Sequence, residues 1–111
     1  MYHEHIKGLK SEHRVMNSLS KQGWKLVSHR VQTPFAELDL IFKKADVLRI
    51  IEVKSISSWD FVSYRVTKKQ KTRLIQAFNY LQQRFKGEVI LELALVSGNG
   101  DILFIEIENN C

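Results

Sequence analysis

One cysteine, one proline and no long apolar run in 111 residues remove several classes of protein at once. The cysteine is the last residue, Cys111, so neither an intrachain disulfide nor a thiolate metal cluster can form, and a reducing compartment fits. The start Met1-Tyr2-His3-Glu4-His5 is polar, and nothing approaches the ~18 apolar residues that span a bilayer, which predicts a cytoplasmic protein with no membrane partner. A single proline, with 44% hydrophobic and 26% charged residues, argues against disorder and for an ordinary globular chain. The length predicts one domain over residues 1–111, burying roughly 65% of its unfolded surface.

Acid is also missing where it would be expected. From Phe61 to Gly87 there is no Asp or Glu, while Arg65, Lys68, Lys69, Lys71, Arg73, Arg84 and Lys86 all fall inside. A solvated helix face explains such a run in part. The total absence of acids, with a net charge of +5, favours contact with a polyanion such as a nucleic-acid backbone. Lys68, Lys69 and Lys71 fall in the first turn of a predicted helix, where cations oppose the helix dipole, and a polyanion would relieve that cost.

The patterning predicts seven elements in the order α-β-β-β-α-β-β. A first helix runs from about Leu9 to Gln22, with Leu9, Met16 and Leu19 at helical spacing, Glu12 on or beside that apolar face, and Gly23 as its stop. Trp24 to Val31 reads as a strand, followed by a turn at Thr33-Pro34. Two further strands flank a hairpin turn at Lys43-Lys44-Ala45-Asp46. Residues from Ser55 to Asp60 read as a loop, beside which Trp59, Phe61 and Tyr64 more readily cover the core than stack on bases. Thr67 opens the second helix, and Gln70 three residues on completes a capping box, a simpler explanation than a second role near the carboxylates. Leu74, Ile75, Phe78, Leu81 and Phe85 form its apolar stripe, and Gly87 closes it. Glu88 to Val96 and Asp101 to Glu108 form a last hairpin. The fold class is therefore α/β, with a mixed central sheet flanked by helices and a carboxylate pocket at one edge.

The two middle strands, Ala36-Glu37-Leu38-Asp39-Leu40-Ile41 and Ile50-Ile51-Glu52-Val53-Lys54, carry charge among apolar neighbours. Side chains alternate across a strand, so Glu37 and Asp39 share one face, as do Glu52 and Lys54. If the strands pair, three carboxylates and one ammonium converge, and buried like charges are costly unless compensated. A divalent cation compensates them, and hard oxygen ligands suit Mg²⁺ or Mn²⁺. A purely structural ion-pair network, with Lys54 neutralising one carboxylate, leaves a negative charge over. His3, His5 and His13 have no matching partner for a transition-metal site.

These residues resemble the PD-(D/E)XK nuclease superfamily, here as Asp39 followed by Glu52-Val53-Lys54, and more narrowly the YraN-type bacterial family, which is similar to archaeal Holliday-junction resolvases. The resemblance is carried by Gly8, Ser11-Glu12, Gly23-Trp24, Glu37 to Ile41, Ile51 to Lys54, Lys69 to Arg73 and Ala77 to Leu81. Ala36 stands where that family usually has glycine, and Ser55-Ile56 where it has a basic residue.

The resemblance implies a restriction-endonuclease-like core and Mg²⁺- or Mn²⁺-dependent hydrolysis of DNA phosphodiesters, possible on branched substrates. Asp39, Glu52 and the Val53 carbonyl would hold the metal, with Glu12 direct or through water and Glu37 auxiliary. Lys54 would orient the nucleophile or stabilise developing charge, and Arg65, Lys68, Lys69, Lys71 and Arg73 would grip the phosphate backbone. Symmetric cutting of two strands implies a homodimer. The alternatives are a nucleic-acid-binding module or accessory subunit without turnover, and a protein-interaction domain.

Overall fold

A computed structural model describes residues 2–57 and 67–108 of the chain, with side chains from Leu9 onward. The elements are α1 (Tyr2–Lys21), β1 (Lys25–Gln32), β2 (Glu37–Lys44), β3 (Val47–Ser55), α2 (Lys68–Gln82), β4 (Glu88–Val96) and β5 (Ile102–Glu106). They occur in the order the sequence predicts. The five strands form one sheet in chain order, antiparallel except for the β3–β4 pair. That parallel pair requires a crossover, which α2 supplies. The mixed sheet and its two helices are consistent with a restriction-endonuclease-like core.

Strand alternation divides the core in two. Leu40, Phe42 and Ile51 pack with Val15 and Leu19 of α1, whereas Ile41 and Ile50 pack with Leu74 and Ala77 of α2. The inner stripe of α1 is Ser11-Val15-Leu19, one residue in four, and not one that includes Leu9, which is 37% exposed. A serine at that spacing lets the helix sit close to β3, where Ser11 Oγ lies 2.6 Å from Ser55 Oγ. β4 is buried along nearly its whole length, as a strand covered on both faces must be.

Two turns place the middle strands. Thr33 is buried, and its Oγ1 accepts from the Phe35 and Ala36 amides at 3.2 and 3.0 Å while donating to the Ala36 carbonyl at 2.7 Å. This closes the Thr33-Pro34 turn and fixes where β2 begins. The β2–β3 turn is tighter than predicted: Lys43 and Lys44 remain in β2, Lys44 pairs with Val47, and Ala45 takes a left-handed φ of 54°.

α2 ends at Gln82, five residues before the predicted stop. Gly87 lies outside the helix and serves a different purpose. A Cβ there would stand 2.2 Å from the Asp46 carbonyl oxygen, which accepts the Glu88 amide, so only glycine lets β4 enter beside the β2–β3 turn. At the same end of the sheet, Arg49 donates to both oxygens of Glu92 at 2.5 and 2.9 Å. Its guanidinium lies between the rings of Trp24 and Phe104, 4.8 and 5.1 Å from their centroids.

Candidate metal and phosphate site

The site originates in a split in the sheet. Pairing of β2 with β3 stops at Leu40 and Ile51, while β2 stays with β1 to Glu37 and β3 stays with β4 to Ser55. Beyond that point the two halves separate. Asp39 fills the gap with its side chain, and its Oδ2 accepts the Val53 amide at 2.8 Å, replacing the missing backbone partner. A strand residue points its N–H and C=O to the same side, so the Val53 carbonyl faces the same gap. The pocket therefore lies between interior strands, not along an edge of the sheet.

Glu52 stands on the α2 face beside Asp39. Its Oε2 accepts from Gln70 Nε2 at 3.5 Å, and its Oε1 is buried without a hydrogen-bond partner. Burial pushes its pKa up to about 8, helped by hydrogen bonding to Asp39 and by that residue's charge; Lys54 and Gln70 act in the opposite sense. An ionised Oε1 has no donor in reach, so burial favours the neutral carboxyl.

Glu12 reaches toward the same place from α1, on the other layer. Its side chain is 13% exposed and sits 3.8 Å from Arg30. Its pKa is raised, first by burial and next by the charge of Asp39, against the lowering effect of Arg30 and His29. The sequence offers no expectation for Arg30. It holds a left-handed φ of 53° inside β1, a conformation that costs a non-glycine residue about 1 kcal/mol or more. Nothing in the sequence marks such a residue, because the strain belongs to the backbone.

Gln70 departs from its predicted use. Thr67 does cap α2, accepting the Gln70 amide at 3.2 Å, but the Gln70 side chain turns to Glu52 instead of returning to the cap. A pocket of about 410 Å³ opens beside it, lined by Glu37, Glu52, Gln70, Lys69, Arg73 and Phe35 among others. Lys69 and Arg73 thus face the carboxylates, whereas Lys68 and Lys71 lie on α2 outside that lining. Arg65, Trp59, Phe61 and Tyr64 fall outside the described residues, as do His3 and His5 for side chains.

Asp39, Glu52 and the Val53 carbonyl are hard oxygen donors in one gap, and the orphaned Glu52 oxygen fits a divalent cation. Contrary to the three carboxylates expected to converge, no three His, Cys, Asp or Glu side chains among the described residues come together as a metal-holding cage. Mg²⁺ does not demand one. It is commonly held by one or two carboxylates, with water and substrate phosphate completing the shell.

Among the described residues, no helix is long and apolar enough to cross a membrane. The profile of the uncharacterised protein family UPF0102 matches residues 11–105. A UPF0102 protein of Wolinella succinogenes is 32% identical over 101 residues, covering 90% of this chain and 93% of the relative. One from Campylobacter fetus is 29% identical over 93 residues, covering 84% and 83%. One from Nitrobacter winogradskyi is 36% identical over 70 residues, covering 63% of this chain and 59% of the relative. A Bradyrhizobium relative, at 37% over 70 residues, is matched over 52% of its length, so the chain spans only part of these longer relatives. The chain belongs to the uncharacterised UPF0102 (YraN) family, which is PD-(D/E)XK-like, as its Glu37-x-Asp39 and Glu52-x-Lys54 pairs are.

Proposed function

We propose that this protein is a Mg²⁺- or Mn²⁺-dependent phosphodiesterase that cuts DNA, with structure-directed specificity. The observation that carries this reading is the buried, partnerless Glu52 oxygen beside Asp39 at the split between β2 and β3. Without a cation, burial beside Asp39 makes Glu52 keep its proton; with one, the oxygens of both side chains can become ligands.

Asp39, Glu52 and the Val53 carbonyl would hold the ion, and Glu12 would add a ligand directly or through water. The ion supplies charge neutralisation at the phosphoryl group and a bound water of lowered pKa. Gln70 holds the Glu52 carboxyl in place from α2. Lys54, two residues beyond Glu52 on the same strand face, orients the attacking water or stabilises the charge that develops on phosphate. Lys69 and Arg73, on the wall of the pocket, bind the flanking phosphates, which carry no base information. A homodimer would present two such sites to two strands.

A second reading, a DNA-binding module without turnover, draws on the engagement of Asp39 by the Val53 amide and of Glu12 by Arg30. Incubating wild type and Asp39→Ala with branched, duplex and single-stranded DNA, in Mg²⁺, Mn²⁺ or EDTA, separates the two. Metal-dependent cleavage by wild type alone supports the enzyme. Binding by both with cutting by neither supports the module.

A further inference from the structure

A second cluster of positive charge lies at the opposite end of β2. Lys25 of β1 and Lys43 of β2 are direct cross-strand partners, so their side chains stand on one face only about 5 Å apart at Cβ. Like charges so placed oppose strand pairing. Among the described residues neither has an acidic partner: the ion pairs there are Arg30–Glu12 and Arg49–Glu92. Lys43 Nζ lies 5.9 Å from the Phe85 ring, and the next residue after Phe85 is the exposed Lys86. Lys44 donates to the Gln22 carbonyl at 2.8 Å and lies 5.7 Å from the Trp24 ring. A groove of about 580 Å³ opens here, lined by Lys25, Lys43, Lys44, Gly23, Val27 and Ala45.

The position of this groove decides what it suits. Alternation puts Glu37, Asp39, Ile41 and Lys43 on one face of β2, so the Lys25–Lys43 pair stands on the same side of the sheet as the carboxylate pocket, while Lys44 and Leu26 carry the groove round to the α1 side. Asp39 and Lys43 are separated by four residues, roughly 13 Å along the strand. That is about the length of four nucleotides of one strand in a duplex.

From this like-charge pair, its lack of acidic partners and its spacing from the pocket, we infer that the β2–β3 hairpin end is a second phosphate-binding surface, gripping a nucleic-acid duplex about four base pairs from the site of cleavage. The inference rests on the reading that the pocket addresses nucleic acid, but not on turnover. The pair would be tolerated in the free protein because the duplex uses it, and it would set a minimum substrate length.

Binding measured in EDTA tests this apart from catalysis. Fluorescence anisotropy with a labelled 20-base-pair duplex, over a salt series, is to be compared for wild type, Lys25→Gln/Lys43→Gln, and Lys10→Gln as an exposed lysine elsewhere. Each lost phosphate contact lowers the log–log salt slope by about 0.9, so the double variant should lose nearly two units of slope and roughly tenfold in affinity. Lys10→Gln should keep the wild-type slope. The double variant should melt no lower than wild type, since the repulsion is gone. If it fails to fold, Lys25→Gln alone, exposed on an edge strand, should show half the change in slope. Unchanged slope and affinity in the folded variant overturn the proposal, whether or not the protein cuts DNA. So does a loss confined to anionic phosphatidylserine vesicles with duplex affinity intact, which would make the surface a membrane contact. Cleavage without any slope change would leave the enzymatic reading standing and remove this one.

Discussion

Glu52 concentrates the chemistry of this molecule in one side chain. Its pKa near 8 in the fold, against 4.5 for the free residue, means that the native state binds this proton more tightly than the unfolded chain does. The group's contribution to stability is therefore full below about pH 4.5, declines as pH rises toward 8, and is lost above that. Metal-free wild type should lose a few kcal/mol between pH 5 and 8.5 relative to Glu52→Gln, whose amide does not titrate. Urea denaturation of both proteins at the two pH values measures this; wild-type stability that holds constant or rises with pH relative to Glu52→Gln contradicts the burial argument. The sequence places Glu52 and Asp39 on strands and marks them as costly. It carries no sign of Arg30 in its left-handed conformation, and it leaves Gln70 between the cap and the site, because both depend on what lies across the sheet.

At the scale of elements, the site depends on where β2 begins and where it leaves β3. Thr33 governs the first. Its buried hydroxyl makes three hydrogen bonds across the turn, so Thr33→Ala leaves the Phe35 and Ala36 amides without that acceptor. The expected cost is about 1–3 kcal/mol, with most of it recovered in Thr33→Ser, which keeps the hydroxyl. Chemical denaturation of the three proteins checks this, and equal stability of all three would show that the turn closes without the hydroxyl. The cap at Thr67 and the alternation of β2 and β3 were legible because they are local signals. The end of α2 was not: Phe85 packs against the core like the helix residues before it, yet the chain has already turned, and Gly87 is explained only by the Asp46 carbonyl beside it. Likewise Leu9 has helical spacing but lies outside the inner face, because α1 seats Ser11 on Ser55.

The whole molecule sets a tightly held end against an open one. Near the β2–β3 turn, the Arg49–Glu92 pair between two aromatic rings and the close entry of β4 tie the sheet together. At the other end the sheet divides, and both helices bring polar residues into the opening. A bound divalent ion would compensate the charge gathered there. Its binding would also displace the proton that burial leaves on Glu52 at neutral pH. Isothermal titration of Mn²⁺ into the apo protein at pH 7, in two buffers of different ionisation enthalpy, reads affinity and proton release together. The account predicts saturable binding with release of up to one proton in wild type, and loss of both in Glu52→Gln. Absence of binding, or binding without proton release that persists in Glu52→Gln, would contradict it.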